Sequence, residues 1–286
     1  MHDAVYALAM PDELRSCAVF NSPHSGADYP QAFLETIDLG PQQVRTSEDA
    51  FVDRLFASAP RFGAPLLAAR VPRACIDLNR AADDLDPALI AGASRRFLNP
   101  RIAAGRGVIP RVVGDGRPIM QRKLTLDEAQ RRINDYWHPY HERLRALIAG
   151  SRARFGSAIL FDCHSMPHEA LNAAPQFGGR RPEVVLGDRF GVACGRWLIE
   201  AAEAAFAGAG FAVARNTPFA GGYITQTYGR PHQGVHALQI EIDRSLYMDE
   251  ARIERRPEFD AVAEALARVV QDLAGLGPRP LPVAAE

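Results

Sequence analysis

His24, in Asn-Ser-Pro-His-Ser-Gly, and His164, in Phe-Asp-Cys-His-Ser-Met-Pro, are the residues of this chain best placed to do chemistry. Each follows an apolar run that reads as a strand, residues 17–20 and 158–161, and each precedes a stretch rich in Ser, Pro or Gly. Ligands of open α/β sheets bind where strands end and loops begin. Two imidazoles delivered to such a rim from positions 140 apart would form a metal site assembled by the fold. A metal on two His and one carboxylate, with one position open, is the usual kit for hydrolysing an amide. The ordinary explanation of any single His is a hydrogen-bonded structural residue. That explanation suits His138, His141 and His168 better. His232 and His236 lie in or just after a Gly- and Tyr-rich segment and are candidates for substrate contact, and His2 reads as disordered.

The third ligand should be a carboxylate, and the adjacent Glu48 and Asp49 are its best source. They stand at the start of a predicted helix over 47–59, capped by Ser47, where acids also complement the positive end of the helix dipole. Asp49 and Asp53 would share a face of that helix. The run 237–243, Ala-Leu-Gln-Ile-Glu-Ile-Asp, alternates as a strand does: Leu238, Ile240 and Ile242 face one way, Gln239, Glu241 and Asp243 the other. A half-exposed edge strand would give the same pattern. Placed after a Gly-rich loop, it equally suits a wet active site with Glu241 as general base. A predicted strand over 74–78 ends in Asp77-Leu78-Asn79-Arg80 and would carry a guanidinium to the rim. Arg80 suits a carboxylate held through two parallel hydrogen bonds, or a plain salt bridge to Asp77, and Arg73 suits a polarised carbonyl. Arg95, Arg96, Arg215 and Arg230 are further candidates for a second carboxylate clamp.

The elements that must position these groups are strand-like runs at 17–20, 65–71, 74–78, 158–161, 211–214 and 237–242. Between several of them lie helical stretches at 47–59, 125–148 (interrupted at Pro139), 189–207 and 259–273. Strands alternating with helices predict an α/β fold: a mixed, mainly parallel central sheet with helices on both faces. Two loops look purposeful: the Arg-rich 92–122, too long for a bare connector, and the Gly/Tyr-rich 215–234, which lies directly before the strand that carries acids. One domain over 1–286 is expected, with its core at about 14–275 and a frayed tail over 276–286.

Composition narrows the function. Thirty-three basic and thirty-four acidic residues leave no global field to attract nucleic acid or an anionic membrane. No apolar run is long enough to span a bilayer. The N-terminus lacks signal-peptide character, and four scattered cysteines form no CxxC pair. A cytoplasmic protein acting on a small molecule is expected.

Seven motifs in series resemble the N-formylglutamate amidohydrolase family: FNSPHSGADYP, SEDAFVDRL, PRACIDLNR, PYH, DCHSMP, PFAGGY and QIEIDRSLYM. They run in order from about residue 20 to 248. The resemblance implies a zinc-carboxypeptidase- and aspartoacylase-like fold and deformylation of N-formyl-L-glutamate in histidine degradation. By match to the family pattern, His24 and His164 hold Zn²⁺ and Glu241 is the base. The first His has Ala27 three residues on, where zinc carboxypeptidases carry their acid ligand. The carboxylate must therefore come from elsewhere; the Glu48-Asp49 pair is the best source, and Asp49 is favoured. The DLNR stretch implies that Arg80 and Asn79 hold a substrate carboxylate, and Gly222 and Tyr223 belong to the loop expected to cover the amino-acid part. Fe²⁺, Co²⁺ or Mn²⁺ would suit the same ligands. A zinc amidohydrolase for another N-acyl amino acid, or a metal-free carboxylate-binding protein, are the alternatives.

Overall fold

In a computed structural model describing residues 5–94, 99–173 and 181–277, seven strands form the main sheet. They are β1 (Tyr6–Ala9), β2 (Ala18–Ser22), β3 (Leu66–Ala69), β4 (Ala158–Met166), β5 (Val184–Gly187), β6 (Val213–Arg215) and β7 (Val235–Asp243). Their order is β1-β3-β2-β4-β7-β5-β6. The pairs β3–β2, β2–β4, β4–β7 and β5–β6 are parallel, whereas β1 on β3 and β5 on β7 are antiparallel. The sheet is mixed and mainly parallel, as the alternation of elements predicts.

Alternation along the central strands feeds two cores. Phe20, Phe161, Leu238 and Ile240 face helices α3 (Arg196–Gly208) and α5 (Phe259–Ala274). Val19, Leu160 and Ala237 face α1 (Leu126–Arg132), α2 (His138–Phe155) and α4 (Tyr223–Tyr228). Helices on both faces require strands apolar on both sides, and β2 and β4 are buried along their whole length. Because β2, β4 and β7 run parallel, their carboxyl ends meet at one edge.

Several elements differ from the sequence reading. Residues 74–78 form no strand: Cys75 and Ile76 donate their N–H groups to Pro72 O, folding the chain into a turn. The side chains of Ala74, Cys75, Ile76 and Leu78 are buried under the sheet, so burial alone accounts for their apolar run. The helix predicted over 47–59 shrinks to Val52–Leu55, because Phe51 is left-handed (φ 67°) and Asp49 is drawn inward, its N–H donating to His24 O. Ser47 caps nothing there, and Asp53 turns to Arg54 instead of sharing a face with Asp49. Strand β4 continues past Phe161 to Met166, and its pairing with β7 satisfies the backbone throughout. Pro139 does not interrupt the long helix. A π-helical stretch, Ile133–Trp137, joins α1 to α2 just ahead of it. Helix α3 starts at Arg196, since residues 189–191 are left-handed. Strands β1 and β5 escaped the sequence reading; β1 is a half-exposed edge and β5 only four residues long. His2, Arg95, Arg96 and most of the predicted tail lie outside the described residues. All four cysteines are free and buried, and among the described residues no helix is long and apolar enough to cross a membrane.

Candidate metal centre

The loop leaving β2 brings in His24, the loop after Ser47 brings in Asp49, and β4 itself carries His164. Their ligand atoms lie within 4.8 Å of one another, and all three residues are buried. Asp49 Oδ2 stands 2.9 Å from His164 Nδ1 and 3.4 Å from His24 Nδ1. His24 Nδ1 is fully buried and makes no hydrogen bond, an orphaned polar atom aimed at a carboxylate. Such an atom is costly unless something binds it. Two imidazole nitrogens and a carboxylate oxygen converging in this way are a donor set that suits a divalent metal with an open position.

The opposite nitrogens are anchored. His24 Nε2–H donates to Asp77 Oδ1 at 2.7 Å, and His164 Nε2 lies 3.1 Å from Asp162 Oδ2. This carboxylate–histidine pairing orients the ring and raises its basicity toward a metal. Asp162 is held in turn by Asn21 Nδ2 (2.8 Å), and Asn21 Oδ1 accepts from Tyr140 Oη (2.6 Å). The network is strongly polarised. Burial opposes charge on His164, yet Asp162 and Asp49 raise its pKa well above the ordinary range. Burial would likewise raise Asp49 and Asp77, but their histidine and arginine neighbours hold both well below it.

Glu48 points away from this cluster, accepting from Tyr29 Oη (2.6 Å) and Arg45 Nε (3.0 Å). Asp49 is therefore the acid that meets the histidines. Its other oxygen accepts from Arg244 Nη2 at 2.9 Å.

A cavity of about 770 Å³ opens onto the cluster. Glu241, the register partner of His164, lines it with Gln239, whose Nε2–H donates to Glu241 Oε1 at 2.9 Å. Burial pushes the Glu241 carboxyl up to about 7. Arg73 and Arg80 also line the wall. Arg73 Nε donates to Asp77 Oδ2 (3.0 Å), whereas Arg80 stands 3.9 Å from that oxygen and donates to the carbonyls of Asn79 and Arg106. Asn79 reaches the wall, but the protein engages both ends of its amide. Nδ2–H donates to Asp162 Oδ2 at 3.3 Å, and Oδ1 accepts from Ile224 N at 2.8 Å.

Gly222 is on the wall, and it must be glycine there because a Cβ would stand 2.6 Å from the Asn79 amide. Tyr223 is close by but not on the wall; its ring packs against Trp137 and His141. Arg215 pairs with Glu203 and Arg230 donates to the Gln226 and Gly229 carbonyls, so neither joins the cavity. Arg101, Arg106, Arg189 and Arg244 do. His141 serves the structure: Nε2–H donates to Leu78 O (2.9 Å) and Nδ1 accepts from Tyr228 Oη (2.7 Å). His168 pairs with Asp243 and His236 accepts from Gly195 N.

Sequence reasoning missed Asp77 as the His24 anchor, Asp162 as the His164 anchor, and Arg244. Asp162 carried a usable signal, since it precedes His164 by two residues on a strand and must share its face.

A mainly parallel α/β sheet that gathers two His and one Asp at the carboxyl edge, beside a buried Glu, defines an α/β protein with a hydrolase-type centre. Comparison with known proteins narrows this class. The family model described as N-formylglutamate amidohydrolase matches residues 16–248. The chain is 34% identical to an N-formylglutamate deformylase of Pseudomonas aeruginosa over 233 residues, 80% of each protein. It is 32% identical to an N-formylglutamate deformylase of Pseudomonas putida, over 81% of this chain and 82% of that one. The crystal structure of N-formylglutamate amidohydrolase from Ralstonia eutropha JMP134 superposes with a TM-score of 0.88 at 38% identity, covering 95% of this chain and 97% of that one. The chain belongs to the N-formylglutamate amidohydrolase family.

Proposed function

We propose that this protein is a metal-dependent amidohydrolase that cleaves N-formyl-L-glutamate to formate and L-glutamate. The convergence of His24 Nδ1, His164 Nδ1 and Asp49 Oδ2 beside Glu241 carries the reading, and the names of the relatives support its substrate. His24, Asp49 and His164 hold the metal, Zn²⁺ by preference for this ligand set. When bound, such a metal supplies Lewis-acid polarisation and lowers the pKa of water.

The protein's own groups do the rest. Glu241 accepts the proton of the attacking water, with Gln239 fixing which carboxylate oxygen faces it. Arg73 donates toward the formyl oxygen as negative charge develops there. Collapse of the tetrahedral adduct breaks the C–N bond, and Glu241 returns its proton to the departing nitrogen. Arg80 receives a substrate carboxylate, a role suited to a guanidinium at the cavity wall with no carboxylate closer than 3.9 Å among the described residues. Asn79 donates to Asp162, the anchor of His164, and holds the start of α4, and Gly222 lets the loop close against it.

The test is formate release from N-formyl-L-glutamate by the protein as purified, after chelation, and after Zn²⁺ is restored. N-acetyl-L-glutamate and N-formyl-L-methionine run beside it. Activity confined to N-formyl-L-glutamate and dependent on metal is the expected result. Activity on another acyl amino acid would reassign the substrate, and turnover that survives thorough chelation would overturn the metal role.

A further inference from the structure

Six arginines line the cavity, but they are not equivalent. Arg73 is paired with Asp77 and Arg244 with Asp49, and Arg80 lies within reach of Asp77. Arg101 and Arg106 are exposed. Arg189 is half-buried, has no carboxylate partner among the described residues, and is built in an unusual way. It has φ 55°, Phe190 has φ 58°, and Gly191 completes a left-handed run. Two consecutive non-glycine residues in this region persist only when their surroundings over-determine them.

Here the surroundings do so. Arg189 N–H donates to Ala220 O at 2.7 Å. Asn216, itself left-handed at φ 61°, accepts through Oδ1 from the N–H groups of Asp188 (3.1 Å) and Phe190 (3.3 Å). Its Nδ2–H donates to Asp188 Oδ1 at 2.8 Å. The aliphatic stem is seated as well, because a Cβ on Gly221 would lie 2.8 Å from Arg189 Cγ. The next residue, Gly222, leans on Asn79. One loop thus spans from the stem of Arg189 to Asn79, which donates to the Asp162 that anchors His164.

Sheet order supplies the direction. Arg80 belongs with Asp77 and His24 on the β2 side, whereas Arg189 leaves β5, which lies beyond β7. Gly187 is opposite Gln239 on the side of β7 away from β4, and Arg189, two residues on, reaches the cavity from that side. Arg80 and Arg189 thus line one cavity from different parts of the sheet, the first from the β2 side and the second from β5. A substrate with one carboxylate would leave the second without a partner.

We propose that Arg189 is the specificity-determining residue for the side-chain carboxylate of an acidic N-acyl amino acid, with Asn216 as its positioning residue. This rests on the hydrolase reading above and adds to it the residue that selects the dicarboxylate. The strained loop fixes the backbone and stem of Arg189 before substrate arrives, so less ordering remains when the carboxylate binds.

The test compares wild type, Arg189→Met and Asn216→Gly, the glycine keeping the left-handed backbone while deleting the side-chain bonds. Two ratios are measured: kcat/KM for N-formyl-L-glutamate over N-formyl-L-methionine, and calorimetric affinity for L-glutamate over L-norvaline. Arg189→Met should lower both ratios by about 10- to 100-fold, the scale of one charged hydrogen-bonded contact, with the kinetic change in KM. Asn216→Gly should give a smaller drop in the same direction. If Arg189→Met lowers both substrates together, or leaves the ratios where they were, Arg189 does not select the carboxylate. Should the wild type hydrolyse neither substrate, the hydrolase reading falls, and the affinity ratio still decides the role of Arg189.

Discussion

His164 and Glu241 are register partners on the adjacent parallel strands β4 and β7. Paired residues of neighbouring strands share a face about 5 Å apart. The hydrogen bonds of the sheet therefore set the spacing between the His164 imidazole and the carboxylate beside it. Replacing Glu241 with Gln keeps shape and register and removes the base. The expected outcome is a kcat reduced by roughly 10²–10⁴-fold with metal content unchanged. Steady-state kinetics paired with metal analysis checks it, and a variant with normal turnover would remove Glu241 from the reaction.

Asp49 and Glu48 are neighbours with opposite fates. Asp49→Asn should abolish stoichiometric Zn²⁺ binding, whereas Glu48→Gln should keep it and lose only the contacts to Tyr29 and Arg45. Ligand-linked stabilisation gives a readout apart from activity: at 100 times Kd, a bound metal adds about 2.7 kcal/mol. Thermal unfolding with and without Zn²⁺ should show that gain in wild type and Glu48→Gln and none in Asp49→Asn. A metal-dependent rise in Tm for Asp49→Asn would argue for another acid ligand.

Behind the ligands, Asp77 and Asp162 hold the far nitrogens of the two histidines. Asp77→Asn or Asp162→Asn should weaken metal affinity about 10- to 100-fold. Tyr140→Phe, which removes only the O–H donated to Asn21, should produce a smaller loss. Competition with a chromophoric chelator measures all three. Affinities equal to wild type would show that the histidines keep their orientation without these partners.

His141 provides a pH test away from the His24–Asp49–His164 cluster. Burial lowers its pKa from 6.5 to about 3, with the backbone carbonyl of Leu78 only partly opposing it. Below pH 6.5 the unfolded chain takes up a proton that the folded chain refuses. Stability present above pH 6.5 is therefore lost as pH falls toward 3, by roughly 3 kcal/mol at pH 4. Urea denaturation of wild type and His141→Gln from pH 7 to 4 should give a steeper loss for wild type. Parallel curves would mean that His141 does not carry this linkage.

Much of the fold is legible in local pattern. The alternation over 237–243 predicts the two faces of β7, and the helical period of 259–273 predicts α5, because each element is apolar on the side that meets the core. Where long-range forces compete with local preference, the pattern misleads. The stretch 47–59 has a helical sequence, but a buried carboxylate needed by two histidines breaks the helix at Phe51. Residues 74–78 are as apolar as a strand, yet Pro72 starts a turn and Asp77 N–H donates to Val108 O. The hydroxyl, amide and carboxylate chain from Tyr140 through Asn21 to Asp162 joins residues scattered over the sequence, so no local window reveals it.

The residue types at the centre and the strand that carries Glu241 follow from composition and a period of two residues, and the ordered motifs give the kinship of the chain. That β4 runs on through His164, which of Glu48 and Asp49 turns inward, which carboxylate anchors each imidazole and which arginines reach the cavity all emerge with the folded chain. Such choices depend on Ångström-scale geometry between distant segments, because a buried charge is tolerated only where a partner stands within hydrogen-bonding distance.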